Sequence, residues 1–190
     1  MFKGYFDGGS VGKPALGAIG AYLMDSNNKV VWKTSKLIGC KTSIEAEYEA
    51  LLALLHEISY RGIKRVTIYG DSEVVINQVS SSHKVRQFSS SFRLCAEAQK
   101  LLSNRDISFT WIPREMNFRA DNLCHQAYNT VSLQISFVPL TEFIYLALGK
   151  EQYAVDLYHN SCTCSDYKNN GTCAHLEAAI IEYRGNSKTA

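Results

Sequence analysis

No apolar run in the sequence approaches the roughly 20 residues of a membrane span. The longest, around Phe143 to Leu148, has the length of a buried strand or helix segment, so no membrane partner is expected. The opening residues, MFKGYFDGG, carry neither an apolar stretch nor a small-residue cleavage site, and no signal peptide is expected. Cysteine is sparse and unevenly spread. Of six, Cys40, Cys95 and Cys124 stand alone and three sit close together near the C-terminus, which is no disulfide framework. A reducing, intracellular and therefore cytoplasmic setting is expected. There is no internal repeat and no low-complexity tract. A strong charge bias is also missing: the formal net charge is +2, too small to argue for a partner. Local basic stretches do occur at Lys29, Lys33, Lys36 and Lys41, at Arg61, Lys64 and Arg65, and at Lys84, Arg86 and Arg93.

What is present suffices for a core. The hydrophobic content is 46% over 190 residues, enough for one ordinary domain and a small one. Residues 2–7 and 17–25 read as strands, with a turn between them marked by Gly8, Gly9, Gly12 and Pro14. Residues 29–37 form a third strand after the Asn27-Asn28 hairpin signal. The period then becomes helical: Ala46, Ala50, Leu51, Leu54, Leu55 and Ile58 line one face, with Thr42 or Ser43 as cap and Gly62 as stop. A strand at 65–69, helices at 72–80 and 89–103, a strand at 107–112 and a helix at 118–128 follow. The order is β-β-β-α-β-α-α-β-α. After Asn129 the composition shifts to β-formers, then to a polar cysteine-bearing stretch, then to a helix from about Ala174 to Tyr183. A domain boundary is placed near 129–135, and the last six residues are expected to fray.

Four acids stand at suggestive places. Asp7 is read as ending the first strand, Glu47 shares the apolar stripe of the long helix, Asp71 follows the strand RVTIY, and Asp121 lies in the first turn of a later helix. Each alone suits a turn, a cap or a helix start. Convergence would be costly, since two unit charges 4 Å apart repel by roughly 4 kcal/mol at an effective dielectric near 20. A cluster of four therefore needs a cation or raised pKa values. Magnesium takes oxygen ligands of this kind, and two such ions can clamp the attacking and departing oxygens of a phosphodiester.

These blocks resemble type 1 ribonuclease H. Tyr5-Phe-Asp7-Gly-Gly-Ser with Gly17-Ala-Ile-Gly20 is similar to the family's first strand, turn and second strand. Thr42-Ser-Ile-Glu-Ala-Glu47-Tyr-Glu-Ala-Leu51 is similar to its helix motif, Ile68-Tyr-Gly-Asp71-Ser72 to its third block, and Trp111-Ile-Pro-Arg-Glu-Met-Asn-Phe-Arg-Ala-Asp121 to its fourth. The resemblance covers about residues 1–130. It implies a mixed five-stranded sheet flanked by helices and a site of Asp7, Glu47, Asp71 and Asp121 holding two Mg²⁺ or Mn²⁺ ions. Glu47 would also help read the RNA strand. Arg114 would assist metal exchange or product release, and Asn117 would stand near the scissile phosphate. Gly8, Gly9, Thr42, Ser43 and Ser72 would meet the substrate, Thr42 by gripping a DNA phosphate. The implied reaction is cleavage of the RNA strand of an RNA–DNA hybrid. The sequence departs from the family where Ser43 and Ile44 replace groove-reading asparagines, and Ile44 has no side-chain donor or acceptor. A DNA-directed nuclease of the same fold, or a non-catalytic nucleic-acid-binding relative, are the alternatives.

Near the C-terminus, Cys162-Thr-Cys164 is followed after eight residues by Cys173-Ala-His175. Three cysteines and a histidine make a full tetrahedral zinc set with no open position, hence one structural Zn²⁺. His159 is a nearby second histidine, and the close pairing of His175 with Cys173 favours His175 as the ligand. The pattern resembles a SWIM zinc finger over about residues 135–185, expected as a small ββα module. Such modules are associated with nucleic-acid binding or protein contacts.

Overall fold

The computed structural model describes residues 1–11, 15–80, 90–103, 105–131, 135–148 and 151–187, with the backbone course alone for 129–131 and 184–187. The expected turn residues Gly12 and Pro14, the basic Lys84 and Arg86 and the last three residues lie outside the described residues.

Five strands build the first sheet: β1 (Phe2–Val11), β2 (Leu16–Met24), β3 (Val30–Cys40), β4 (Arg65–Gly70) and β5 (Asp106–Trp111). Their order is β3-β2-β1-β4-β5, antiparallel among the first three and parallel from β1 to β4 to β5. The helices are α1 (Ser43–Tyr60), α2 (Glu73–Val79), α3 (Ser90–Leu102) and α4 (Phe118–Val131), the last preceded by a 3₁₀ turn at Arg114–Met116. Helix α1 starts where the sequence dictates. The Thr42 hydroxyl accepts from the Glu45 amide at 3.3 Å and the Glu45 carboxylate accepts from the Thr42 amide at 2.8 Å, a capping box. It stops at Arg61, with Gly62 at φ +66°. Its apolar stripe (Leu51, Leu54, Leu55, Ile58) packs with Phe6, Ile68 and Val66 into the main core.

One sequence expectation needs correction. Asp7 does not end β1; the strand runs on to Val11, with Gly8 opposite Ile19 and Val11 opposite Leu16. Gly8 serves packing here: a Cβ on it would lie 2.1 Å from the Ala46 carbonyl carbon, so only glycine lets α1 approach β1.

The C-terminal part elaborates the ββα outline into an antiparallel sheet of β6 (Ser136–Pro139), β7 (Ile144–Leu148), β8 (Gln152–Asp156) and β9 (Ser161–Cys162) with α5 (Ser165–Asn170) and α6 (Ala174–Ser187). Gly185 to Ser187, expected to fray, continue α6. This part does not pack alone. A second core joins Leu16 and Ala18 of β2 and Cys124, Ala127 and Tyr128 of α4 to Tyr145, Val155, Leu176, Ala179 and Ile180. No helix among the described residues is long and apolar enough to cross a membrane.

Candidate active site and zinc centre

The parallel pairing of β1 with β4 runs from Phe2 opposite Val66 to Tyr5 opposite Tyr69 and goes no further. Tyr5 and Tyr69 stack at 4.8 Å on one face of the sheet. Two residues on, strand alternation returns Asp7 and Asp71 to that same face, beyond the last paired residues. Glu47 reaches the same place from the first turns of α1. Ligand oxygens of Asp7, Glu47 and Asp71 all lie within 4.8 Å of one another.

The cluster is electrostatically loaded. Burial, and then the charges of Asp71 and Asp121, push Asp7 up to about 7. Burial, then Asp7 and Asp71, push Glu47 well above the usual carboxylate range; the Gly8 amide opposes the rise in both. Glu47 Oε2 is buried without a hydrogen-bond partner. A buried carboxylate oxygen with no donor, beside two further carboxylates, fits a hard divalent cation in both charge and ligand type.

Asp121 stands apart from this trio. Its Oδ1 accepts from Arg114 at 2.6 and 3.2 Å, and His125 Nε2 lies 3.6 Å from its Oδ2. The ion pair with Asp121 raises Arg114 further, and Arg114 in turn lowers Asp7 and Glu47. These groups line a cleft of about 290 Å³ together with Gly8, Gly9, Ser10 and Ser43, where the Ser10 and Ser43 hydroxyls meet at 2.9 Å. Cys124 also lines it, but burial pushes its thiol up to about 12 and it bonds the Ala18 carbonyl at 3.3 Å, so it serves as an inert packing group.

Three residues expected at the substrate do not line this cleft. Asn117 has no exposed surface, so it has no atom to offer a phosphate; its Nδ2 donates to Asp71 Oδ1 at 2.6 Å and to the Phe6 carbonyl at 2.8 Å. The Thr42 hydroxyl is engaged with Glu45 at 2.7 Å and lies outside the cleft lining. Ser72 precedes α2 without a side-chain capping bond and is also outside that lining. Sequence reasoning missed Ser10 and His125. The i, i+4 spacing of Asp121 and His125 on one helix is the signal that could have found the latter.

At the other centre, ligand atoms of Cys162, Cys164, Cys173 and His175 lie within 4.8 Å of one another, and the three cysteines are buried. Cys164 Sγ accepts from the Tyr167 amide and Cys173 Sγ from the Leu176 amide, each at 3.4 Å. His175 Nδ1 is buried without a partner. Burial raises the Cys162 and Cys173 thiols, a penalty that a bound dication inverts. The residues thus fit a closed zinc site. His159 is engaged elsewhere, 2.8 Å from Asp156 Oδ2.

Comparison with known proteins agrees with both halves. Residues 5–127 match the reverse transcriptase-like family and residues 148–184 the SWIM zinc finger family. The chain is 32% identical to a ribonuclease HI of Halobacterium salinarum over 123 residues, which is 65% of this chain and 62% of that protein. It thus spans less than two thirds of the length of this curated relative. Among solved structures, RNase H1 from the halophilic archaeon Halobacterium salinarum superimposes with a TM-score of 0.64 at 32% identity, covering 68% of this chain and 98% of that one. LC11-RNase H1, solved in complex with an RNA/DNA hybrid, gives 0.63 at 30% identity, with 68% and 98% covered. The chain belongs to the reverse transcriptase-like family, as a type 1 ribonuclease H-like region followed by a SWIM zinc finger.

Proposed function

We propose that the chain is an endoribonuclease that hydrolyses the RNA strand of RNA–DNA hybrids, with a catalytic unit over residues 1–130 and a structural zinc module over residues 135–185. One observation carries the reading: Asp7, Glu47 and Asp71 converge within 4.8 Å although burial and mutual repulsion disfavour their charges. A bound divalent cation relieves that repulsion, and without one Asp7 and Glu47 hold protons. When bound, a pair of magnesium or manganese ions supplies Lewis-acid stabilisation of the attacking and departing oxygens and a nucleophilic water at neutral pH. Asp7, Glu47 and Asp71 would hold that charge in place, with Asp121 as a further carboxylate that would first have to leave Arg114. Asn117 orients Asp71. Arg114 and His125, exposed in the cleft lining beside Asp121, would meet the phosphate backbone. Ser43 with Ser10, and the Gly8-Gly9 backbone, also line the cleft and would meet the substrate. Cys162, Cys164, Cys173 and His175 hold one zinc ion, and the module serves nucleic-acid or protein binding. The similarity to RNase H1 proteins, one of them solved with a hybrid, supports the substrate class.

A second reading keeps the acids and changes the groove. Ile44 packs against the main core, so this stretch of the cleft wall presents Ser43 and no amide side chain. That suits a DNA-directed relative. End-labelled hybrid, double-stranded RNA, double-stranded DNA and single-stranded RNA, each with and without Mg²⁺ or Mn²⁺, separate the two. Cutting of the RNA strand of the hybrid alone, with 3′-hydroxyl and 5′-phosphate ends, is expected. Cutting of DNA at a similar rate would replace the first reading by the second.

A further inference from the structure

Helix α4 has a second side. Asp121, Cys124 and His125 face the acid cleft, whereas Arg119, Asn122 and Gln126 face a depression of about 240 Å³ that also touches Tyr22 and Lys33. A shallower depression shares Lys33 and Arg119 and extends along the start of β3. No carboxylate lines either one, and among the described residues neither Lys33 nor Arg119 makes an ion pair. Two cations thus share one concave surface with two amide side chains and no acid.

Arg119 is held in place. The Arg119 guanidinium lies over the Tyr22 ring, 5.1 Å from its centroid. Tyr22 stacks on Tyr5 at 4.6 Å, and Tyr5 on Tyr69 at 4.8 Å, a ladder across three strands. Lys33 stands directly opposite Tyr22 in the β2–β3 register. A guanidinium resting on a fixed ring loses less freedom when it binds an anion, and its fork suits a phosphate. The ring itself, covered by Tyr5 and Arg119, offers no platform for a base.

We propose that this groove is a second nucleic-acid subsite, in which Lys33 and Arg119 bind backbone phosphates of the duplex that flanks the strand held in the acid cleft. The inference rests on reading that cleft as a nucleic-acid site. Cleft and groove are separated by one helix, about 10–12 Å across. Duplex nucleic acid carries roughly one charge per 1.7 Å of axis, so a duplex crossing α4 brings several phosphates within reach of both cations. Contacts to backbone alone make the subsite indifferent to base sequence.

The test is fluorescence anisotropy on the full chain with no added magnesium or manganese, using RNA–DNA hybrids of about 8 and 24 base pairs. The 24-mer is expected to bind more tightly and with a steeper salt dependence. Arg119→Gln and Lys33→Glu should each weaken the 24-mer several-fold and reduce the log–log salt slope by about 0.9 per lost phosphate contact. Lys33 is exposed, so its reversal leaves the tyrosine ladder intact should Arg119→Gln disturb it. Affinity should be equal across 24-mers of different base composition. Wild-type affinity and slope in both variants, or affinity that follows base sequence, would overturn the inference. A failure of the nuclease reading looks different: wild-type protein would bind by length as described yet cut nothing when magnesium or manganese is added.

Discussion

Asn117 donates to Asp71 Oδ1 at 2.6 Å and to the Phe6 carbonyl at 2.8 Å, tying a carboxylate at the end of β4 to the backbone of β1 next to Asp7. The same buried amide therefore sets the distance between two of the clustered acids. Asn117→Ala should lower metal-dependent cleavage about 10–100-fold and raise the metal concentration needed. It should also cost about 1–3 kcal/mol of stability by leaving a buried carbonyl unpaired. A metal titration of the rate beside a thermal melt checks both, and an unchanged rate would show that Asn117 orients nothing.

Asp71→Asn keeps an oxygen for Asn117 and removes the charge. Folding should be retained, while cleavage of a hybrid should fall by at least about 10²-fold, the scale of removing one electrostatic element of a catalytic site. Circular dichroism and single-turnover rates on one preparation decide it; full activity would remove Asp71 from the site.

Asp7 and Glu47 predict a pH dependence of unusual sign. The fold raises Asp7 from 3.8 to about 7, so between these values the metal-free folded chain holds a proton that the unfolded chain has released. Stability then falls as pH rises through that window. Melting temperature of the metal-free cleft should drop between pH 5 and pH 8, and added Mn²⁺ should restore it most at pH 8. Asp7→Asn should flatten the drop, on the order of a few kcal/mol at pH 8, and abolish cleavage. A wild-type melt that rises across this range, matched by the variant, would contradict the assignment.

Gly8→Ala places a methyl 2.1 Å from the Ala46 carbonyl carbon and 2.3 Å from the Glu47 amide nitrogen. Backbone cannot yield as a flexible side chain would, so α1 must move away from β1. A loss of about 1–3 kcal/mol is expected, as for overpacking in a core, and Glu47 is displaced with it. Urea denaturation measures the first effect and the metal dependence of cleavage the second. Gly9→Ala, whose Cβ would meet nothing nearer than 3.6 Å, serves as the mild control.

Elemental analysis should find one zinc per chain. Cys173→Ser should lose it and loosen β6 to α6. The second core includes Cys124, Ala127 and Tyr128, so the disturbance should reach the C-terminal half of α4, where the Tyr128 hydroxyl donates to the Gly9 and Leu16 carbonyls. Amide exchange should rise there while α1 and β4, with Glu47 and Asp71 beside them, stay protected. Cleavage of a short hybrid should survive at a reduced rate. A zinc-free wild-type chain, or a variant in which α1 exchanges freely, would show the module or its reach to be misread.

Features set by neighbours along the chain were legible in the sequence. The capping box of Thr42 and Glu45, the stop at Gly62, the β-β-β-α-β-α-α-β-α order and the Cys-x-Cys and Cys-x-His pairs each rest on contacts within a few residues. Strand alternation and a helix face also bring carboxylates to one end of a parallel pair, so the acids could be singled out before any fold was seen. Tertiary packing decided the rest. Asp7 lies inside β1 because β2 continues to pair with it past the glycines. Asp121 leans to Arg114 and His125 instead of joining the trio. Asn117 turns inward to a carbonyl 111 residues away, and β2 and α4 share a core with residues beyond the expected domain boundary. Local periodicity fixes which face a side chain occupies. Which distant partner meets it there depends on how strands and helices close on one another, and no spacing along the chain encodes that.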